Sequence, residues 1–365
     1  MRILHRYVLT SFLVPLAYCL VTFLSLYVVV ELLGSFSLLT ATKPSFGVVV
    51  GYFAGVVAPF LEWLLAASLL LASLYTMWQL CRHSEVTAMR ASGLGFGTII
   101  APLVSVAVLL SVVSALNLEF YAPDAAENTQ RLEKNQFRQE AGDIRENIHY
   151  YNTFERRNWR INRLDVSSPQ VLYGVRITCE RPNGTREVEV ACKQAEYRDG
   201  VWLLCYPQYT WFDELDMQVE SRMPQLDNLS LRLMPSLNEI PSDFVNETRE
   251  WSRLPIRARL RYLRVHPDLS DEERDSKWYD IHSRFASPWA CTVITLFAIP
   301  MGVATGRQGV FKGILTAIAL FFAFFVAVNG CMILAKRGLL PPLIGAWLPN
   351  ASFLAAGLYL LWRQR

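Results

Sequence analysis

The sequence predicts a membrane protein with six transmembrane helices and an all-β domain inserted between the third and fourth helix. Charge is unevenly distributed: the 166 residues from Glu119 to Arg284 hold 53 of the 67 charged residues. The flanking segments are apolar and almost uncharged. Within the charged block, short alternating apolar runs are separated by turn residues, a pattern typical of antiparallel strands. We therefore divide the chain into transmembrane residues 1–118, an inserted domain of residues 119–284, and transmembrane residues 285–365.

Six apolar stretches are long enough to cross a bilayer. A hydrocarbon core about 30 Å thick requires roughly 20 helical residues at about 1.5 Å rise each. Five stretches carry no charge, and the second carries one, at Glu62. The predicted helices are Val8–Val30, Val48–Leu80, Phe96–Leu118, Phe285–Thr305, Gly313–Ala335 and Leu339–Trp362.

The basic residues of the short loops predict the orientation, because cytoplasmic loops are enriched in Lys and Arg. With the N-terminus in the cytoplasm, eight basic residues fall on the cytoplasmic side and three on the opposite side. Both termini are therefore expected inside and the inserted domain outside. No cleavable signal peptide is expected, so the first helix should remain as an anchor. The cytoplasmic set is Arg2, Arg6, Arg82, Arg90, Arg307, Lys312, Arg363 and Arg365, and the opposite set is Lys43, Lys336 and Arg337.

The inserted domain is predicted to be an antiparallel β-structure between about Ile148 and Leu233. Pro182-Asn183-Gly184 and Asp199-Gly200 separate alternating apolar runs, and such pairs favour hairpins with type I′ turns. Roughly eight strands are expected, and periodicity leaves a sandwich, a jelly roll and a barrel open. The flanking segments Ala125–Ala141 and Arg249–Tyr279 are predicted to be helical stalks.

Cysteine usage allows one disulfide in this domain. Of seven cysteines, only Cys179, Cys192 and Cys205 fall in the predicted outer domain. If the two turns are centred as predicted, Cys192 and Cys205 are diagonal neighbours on adjacent strands, and they are the candidate pair.

The sequence lacks the motifs of an enzyme. The five histidines show no metal-ligand spacing, and neither a Gly-x-Ser-x-Gly elbow nor a Ser-x-x-Lys pair is present. The phosphate-binding Gly-x-x-x-x-Gly-Lys-Ser/Thr loop is also absent. We expect no catalytic residues, no metal and no cofactor in this chain, and no nucleic-acid partner. Any uphill transport must draw its energy from another subunit.

The connection Gln79–Gly97 is predicted to contain a short amphipathic helix at the cytoplasmic surface. Ser84 is a suitable N-cap, Glu85 lies in the first turn, Val86, Ala88 and Met89 follow as apolar positions, and the Gly93/Gly95 pair ends it. One interpretation is a simple connector. The other is a docking helix that enters a groove on a cytoplasmic partner, with Glu85 as an anionic contact and Ala91, Ser92 and Gly93 allowing close approach.

The residues of this connection resemble the characteristic segment of the LptF/LptG permease family, which takes part in lipopolysaccharide transport in Gram-negative bacteria. Both ends of the chain are more similar to the LptG branch. The start of the predicted fourth helix and one strand of the insert also resemble the family. The matching segments are Arg82-x-Ser84-Glu85-x-x-Ala88-Met89-Arg90-Ala91-Ser92-Gly93, Met1-Arg2-Ile3-Leu4-x-Arg6-Tyr7, Leu340-Pro341-Pro342-x-Ile344-Gly345-Ala346, His282-Ser283-Arg284-Phe285-Ala286-x-Pro288 and Val201-Trp202-x-Leu204.

The resemblance implies six membrane helices with a periplasmic β-jelly roll and a coupling helix at about residues 82–95. It implies residence in the bacterial inner membrane and pairing with a second, LptF-like permease around a lipid-sized cavity lined by the first and fifth helices. An LptB-like ATPase dimer would bind ATP and receive the coupling helix, in which Glu85 matches the acidic coupling residue. Lipid would leave through LptC-like and LptA-like periplasmic jelly-roll proteins.

The sequence departs from the family pattern where the substrate is expected. LptG proteins often have basic residues at the outer end of the first helix, but this chain has Glu31 there, and Lys43 is the nearest replacement. Glu62 is the other anomaly, because an intramembrane carboxylate costs about 2.5–3.5 kcal/mol and usually faces a cavity or partner. Alternatively, Glu62 lies near the outer interface and is hydrated. Phe321, Phe324 and Phe325 are candidates for an acyl-chain wall, although lipid-facing packing explains them equally well.

The predicted function is a permease subunit of an ABC-type exporter that extracts lipopolysaccharide or a related glycolipid from the inner membrane. The alternative is a membrane-anchored structural or sensing protein whose β-domain binds a periplasmic partner, in which Gln79–Gly97 is only a connector. A third possibility, a lipid-modifying enzyme, finds no residues to support it.

Overall fold

The computed structural model describes residues 2–42, 44–134, 144–219, 231–234, 237–305 and 310–363. The chain folds into two compact units. One consists of Met1–Phe137 with Ser270–Arg365, and the other of Arg138–Leu269. The predicted boundaries at residues 119 and 284 were placed by charge. The boundaries of the folded units lie further inside the charged block, because charged helical extensions at both ends pack with the helical unit.

The helical unit contains all six predicted membrane helices. Six helical stretches within the described residues are long and apolar enough to cross a membrane, which confirms the predicted number. The helices of this unit are α1 (Arg2–Thr42), α2 (Phe46–Val57), α3 (Leu61–Arg82), α4 (Glu85–Ala91), α5 (Phe96–Leu116), α6 (Ala122–Lys134), α9 (Asp271–Ala286), α10 (Ala290–Thr305), α11 (Val310–Lys336) and α12 (Pro342–Arg363).

Three predicted helices are interrupted or extended in ways that apolar length did not indicate. The second is broken into α2 and α3 by a 3₁₀ turn at Ala58–Phe60, where Pro59 has no N–H to continue the helical ladder. The third passes through a π-helical segment, Asn117–Tyr121, before α6. The fourth is preceded by the polar helix α9 and a 3₁₀ turn at Ser287–Trp289. Hydrophobicity locates the bilayer segment of a helix and does not show where the helix begins.

Helix α3 forms the centre of the helical unit. Its buried Leu69 and Met77 belong to one apolar core shared with α1, α5 and α10. Helix α10 packs tightly against α3 at Gly302, where an added Cβ would lie 2.8 Å from both the Leu74 carbonyl oxygen and the Met77 Cβ. Only a residue without a side chain permits this contact, as is common between membrane helices.

We therefore expect Gly302→Ala to destabilise the helical unit by about 1–3 kcal/mol, because the methyl group overfills a packed contact. Thermal unfolding of the purified protein in detergent would measure the change. Gly330→Ala on α11 is the matched control, since an added Cβ there meets nothing within 4 Å. Equal melting temperatures for the two variants would contradict the proposed packing constraint.

Among its described residues, the second unit contains a seven-stranded antiparallel sheet, which confirms the predicted all-β insert; about eight strands were expected. The strand order is β1-β2-β3-β4-β5-β7, and β6 pairs with β4. Strand β4 pairs with β5 through Gln194–Arg198 and with β6 through Val188–Ala191, so the sheet branches there. The strands are β1 (Ile144–Asn152), β2 (Arg157–Asp165), β3 (Val171–Glu180), β4 (Arg186–Arg198), β5 (Val201–Cys205), β6 (Gln208–Trp211) and β7 (Leu231–Met234).

The two predicted turns differ in geometry. Asp199 and Gly200 both have positive φ, at 49° and 83°, as a type I′ turn requires. At the other turn only Gly184 has positive φ, at 83°, and Asn183 does not, so the type I′ prediction is wrong there. The Asn183 side chain instead accepts hydrogen bonds from Thr185, which stabilises a different loop.

Aromatic side chains form the core of the second unit. Trp159 and Trp202 are fully buried and pack against Phe244 of helix α7 (Pro241–Glu247). The Trp202 indole donates a hydrogen bond of 2.7 Å to the Glu239 carbonyl oxygen, which satisfies its buried N–H. Helix α7 therefore covers one face of the sheet, a role that the alternation of the strands did not predict.

Of the two predicted flanking helices, the first is described in part and the second is divided. Helix α6 is described as far as Lys134, and the remainder of the stretch predicted as helical, to Ala141, lies outside the described residues. The predicted helix Arg249–Tyr279 is divided into α8 (Ile256–Val265) and α9. Pro267 lies in the break, where it cannot contribute an N–H to a continuing helix.

The register confirms that Cys192 and Cys205 are diagonal neighbours. Cys205 lies opposite Gln194, two residues beyond Cys192 on β4. Both thiols are free. Burial raises the pKa of the Cys192 thiol to about 12, and it also raises the pKa of Cys205. A raised pKa leaves less of the reactive thiolate at any given pH.

We expect alkylation of Cys192 to be slow at pH 8, where a pKa of about 12 leaves on the order of one thiol in 10⁴ ionised. The rate should rise about tenfold per pH unit, and Cys205, which is less buried, should react faster. Mass spectrometry of iodoacetamide-treated native protein would measure both sites. Protection of both cysteines that is lost on reduction would instead reveal a disulfide.

Candidate functional site

The predicted docking segment forms a short helix between two membrane helices. Helix α3 ends at Arg82, and α4 begins at Glu85 and has seven residues, so it is shorter than the predicted range of about 82–95. Ser84 does not cap it through its side chain, contrary to prediction. Its φ is 58°, in the left-handed region, and only its carbonyl oxygen joins the helix by accepting from Ala88 N–H.

Helix α4 has a buried face and an exposed face. Val86 and Met89 are buried in the core of the helical unit. Ala88, one of the predicted apolar positions, is exposed, because it is rotated by about 200° from Val86 at 3.6 residues per turn. Gly93, with φ of 85°, follows the helix. Also on the exposed side are Arg90, Ala91, Ser92 and Gly93.

Glu85 is held by the first membrane helix. The Tyr7 hydroxyl of α1 donates a hydrogen bond of 2.8 Å to Glu85 Oε2. Glu85 is half-buried, whereas the following turn of α4 is open to solvent on its outer side. The carboxylate therefore has a defined orientation, and it is also accessible at the surface.

An apolar groove of about 840 Å³ lies beside this hydrogen bond, between α1 and α3. Tyr7, Val14 and Tyr18 line it from α1, and Leu74 and Trp78 line it from α3. The Arg82 guanidinium stacks over the Trp78 ring at 5.1 Å. We call this cavity the α1–α3 groove.

Glu31 contacts a tyrosine of the neighbouring helix. The Tyr52 hydroxyl, fully buried on α2, lies 3.2 Å from Glu31 Oε1, 2.8 Å from Glu133 Oε1 and 2.9 Å from Ser35 Oγ. This hydroxyl therefore joins α1, α2 and α6. Lys43, the predicted basic replacement, lies outside the described residues.

Glu62 also has a partner within the chain. Ser287 Oγ donates a hydrogen bond of 2.8 Å to Glu62 Oε2, which connects the start of α3 to the turn before α10. Nearby, Arg284 Nε lies 3.3 Å from Glu119 Oε2, and Arg284 also donates to the Leu118 carbonyl oxygen. Glu62 is therefore not an isolated charge, and the polar cluster connects the two transmembrane halves.

Comparison with known proteins agrees with this architecture. The model of the family described as lipopolysaccharide export system permease LptF/LptG matches residues 6–363. This chain belongs to the LptF/LptG family. The lipopolysaccharide export system permease protein LptF of Escherichia coli (strain K12) is 21% identical over 320 residues, covering 82% of this chain and 78% of that protein. LptF of Shigella flexneri gives the same values.

Membership of the family establishes the permease as a transport component of the inner membrane. The family model includes both branches, and the relatives above are LptF proteins. The closer similarity to LptG therefore stays a prediction.

The phenylalanines of α11 in this permease are divided between the core and the surface. Phe324 is 1% exposed and packs edge-on against Phe353 at 5.1 Å, so it cannot serve as an open acyl-chain wall as predicted. Phe321 and Phe325 pack edge-on against Trp63 of α3 instead. Phe325 remains 43% exposed.

Four further residues of the permease were missed in the sequence. Each of them contacts a glutamate that lies far away in the chain. The pairs are Tyr7 with Glu85, Tyr52 with Glu31, Ser287 with Glu62 and Arg284 with Glu119. Tyr7 and Arg284 occur in segments that resemble the family, which was a usable signal. Tyr52 and Ser287 have no comparable signal, because a hydroxyl within an apolar helix is common and does not reveal its partner.

Proposed function

We propose that this permease is the membrane subunit of an ABC-type exporter of lipopolysaccharide or a related glycolipid. The observation that carries the proposal is α4. Two buried side chains anchor it to the membrane helices, while Glu85 and the small residues Ala88, Ala91 and Gly93 face outward. A small, rigid helix with an oriented carboxylate suits insertion into a groove that contains a basic residue.

ATP hydrolysis is assigned to a partner. These 365 residues contain no phosphate-binding loop, so this chain is not equipped to hydrolyse nucleotide. We propose an LptB-like ATPase dimer in the cytoplasm, which binds ATP and receives α4. ATP is then the only small molecule that the complex requires for energy, and it binds outside this chain.

A second permease is proposed to cover α1 and α11. In the single chain only 6% of the apolar window of α1 and 11% of that of α11 is buried, against 28–67% for the other four spans. Helices that make few contacts within a chain are suited to face lipid or another subunit. An LptF-like partner packed on these two helices would enclose a cavity between the subunits, where the glycolipid would enter.

We propose that the substrate headgroup is not recognised by basic residues alone. Glu31 is held near Glu133 by the Tyr52 hydroxyl, so this end of α1 is acidic. Two carboxylates repel a phosphate, and a cation is required to offset them. We propose that Lys43 supplies it, and that the substrate carries fewer or differently placed phosphates than a site rich in lysine would select.

The second unit is proposed to lie in the periplasm, with both termini in the cytoplasm. The distribution of basic residues in the short loops supports this orientation. A sheet in that position can pass the lipid to LptC-like and LptA-like proteins of similar fold. Edge strands such as β1, which pairs with β2 alone among the described strands, offer unpaired backbone groups for such contacts.

We expect Glu85→Ala to weaken binding of the ATPase by about 2 kcal/mol or more, roughly thirtyfold, because it removes one member of an interfacial charge pair. Affinity between the purified permease complex and the ATPase, together with lipid release from proteoliposomes, would measure the effect. The matched control is Thr87→Ala, on the exposed side of the same helix, which should change affinity by less than about 0.5 kcal/mol. Full ATPase binding and transport by Glu85→Ala would favour the structural or sensing alternative.

We expect α4 and the second unit to lie on opposite sides of the membrane. Thr87→Cys on α4 and Phe154→Cys in the β1–β2 turn introduce thiols at exposed positions. In cells with a permeabilised outer membrane, a membrane-impermeant maleimide should label the thiol at position 154, and the one at position 87 only after lysis. The reverse pattern would show that the proposed orientation is wrong.

A further inference from the structure

The Tyr7 hydroxyl connects the first membrane helix to the docking helix. Tyr7 and Glu85 are 78 residues apart in the chain, and their side chains meet at 2.8 Å. We infer that Tyr7 is a positioning residue for Glu85, through which a movement of α1 reaches the ATPase contact. The inference rests on the proposed function, because it requires that Glu85 engages an ATPase.

The first turn of α4 requires a stabilising contact from outside the helix. A helix of seven residues is only about two turns long, and helices this short are not stable in water without tertiary contacts. Val86 and Met89 anchor its inner face. The Ser84 side chain makes no capping hydrogen bond, so it does not fix the first turn. The hydrogen bond from Tyr7 fixes the first residue of the helix from outside the helix.

The geometry leaves Glu85 able to bind a partner. Tyr7 occupies Oε2, and a carboxylate accepts several hydrogen bonds, so Oε1 can accept from a cationic side chain. Ordering the side chain before binding reduces the conformational entropy lost when the ATPase docks. The tyrosine therefore orients the contact and does not compete for it.

The position of Tyr7 also places it in the wall of the α1–α3 groove. Its ring lines the groove together with Val14 and Tyr18 of α1 and Trp78 of α3. A displacement of α1 relative to α3 changes this wall and moves the hydroxyl away from Glu85. Because α1 is the least covered span in the single chain, it is the helix most exposed to substrate or to a second subunit. The hydrogen bond thus gives one physical route between that surface and α4.

The test compares Tyr7→Phe with Tyr18→Phe in the complete complex with its ATPase, reconstituted with lipopolysaccharide as the probe. Both variants remove one hydroxyl from α1 at the wall of the same groove, but only Tyr7 contacts Glu85. We expect Tyr7→Phe to lower the lipid released per ATP hydrolysed by about 2- to 10-fold, the range for one hydrogen bond. Tyr18→Phe should keep the ratio of the unchanged protein.

A double-mutant cycle separates positioning from a general structural effect. Glu85→Gln removes the charge that the proposed ATPase contact uses, so orienting the side chain at position 85 should matter little in that variant. Tyr7→Phe and Glu85→Gln should therefore be non-additive in this ratio, whereas Tyr18→Phe and Glu85→Gln should be additive. Hydrogen exchange of residues 85–93 in the permease without ATPase provides a second measurement. Exchange there should be faster in Tyr7→Phe and unchanged in Tyr18→Phe.

The outcomes distinguish the role of Tyr7 from the proposed function. Loss of coupling in Glu85→Ala, with Tyr7→Phe and Tyr18→Phe behaving alike, would overturn the role of Tyr7 and leave the proposed function intact. No effect of Glu85→Ala would remove the proposed function itself. A Tyr7→Phe variant that lowers both the melting temperature and the lipid released per ATP hydrolysed leaves the decision to the double-mutant cycle. Additive effects of Tyr7→Phe and Glu85→Gln would then also overturn the inference.

Discussion

The nearly uncharged segments of the helical unit are constrained by the need to pair their few carboxylates. Outside the charged block the chain has three acidic residues, Glu31, Glu62 and Glu85. Each lies at hydrogen-bond distance from a hydroxyl group in another part of the unit: Tyr52, Ser287 and Tyr7, respectively. A carboxylate without a partner is costly away from water, and each of these contacts also joins two separate parts of the helical unit.

The three contacts occur at functionally different places. Glu31 joins α1 to α2 at the predicted substrate end, and Glu62 joins α3 to the turn before α10. Glu85 joins α4 to α1. These three glutamates therefore connect separate elements of the structure, and they are also candidate functional groups. A substitution of any of these glutamates changes packing as well as activity. A variant that removes only the partner hydroxyl group, and keeps the glutamate, is therefore more informative.

Much of the architecture was predictable because the bilayer and the pleated sheet impose simple periodicities. Uninterrupted apolar length predicted six spans, and the Asp199-Gly200 turn predicted one hairpin with its type I′ geometry. Proline breaks and polar helical extensions were less visible, since hydrophobicity does not report backbone geometry. The family resemblance of Arg82–Gly93 pointed to the docking helix, but not to the exposure of Ala88 or the left-handed conformation of Ser84.

Residue order alone determined the number of candidate membrane helices, the all-β character of the insert and the position of the short helix α4, because each follows from local pattern and charge. Tertiary structure decided the partners of the acids, the burial of Phe324 and the close approach at Gly302. Such contacts join residues tens to hundreds of positions apart. No local rule links Tyr7 to Glu85; their meeting depends on how α1 packs against α3 and on where the chain turns after Arg82.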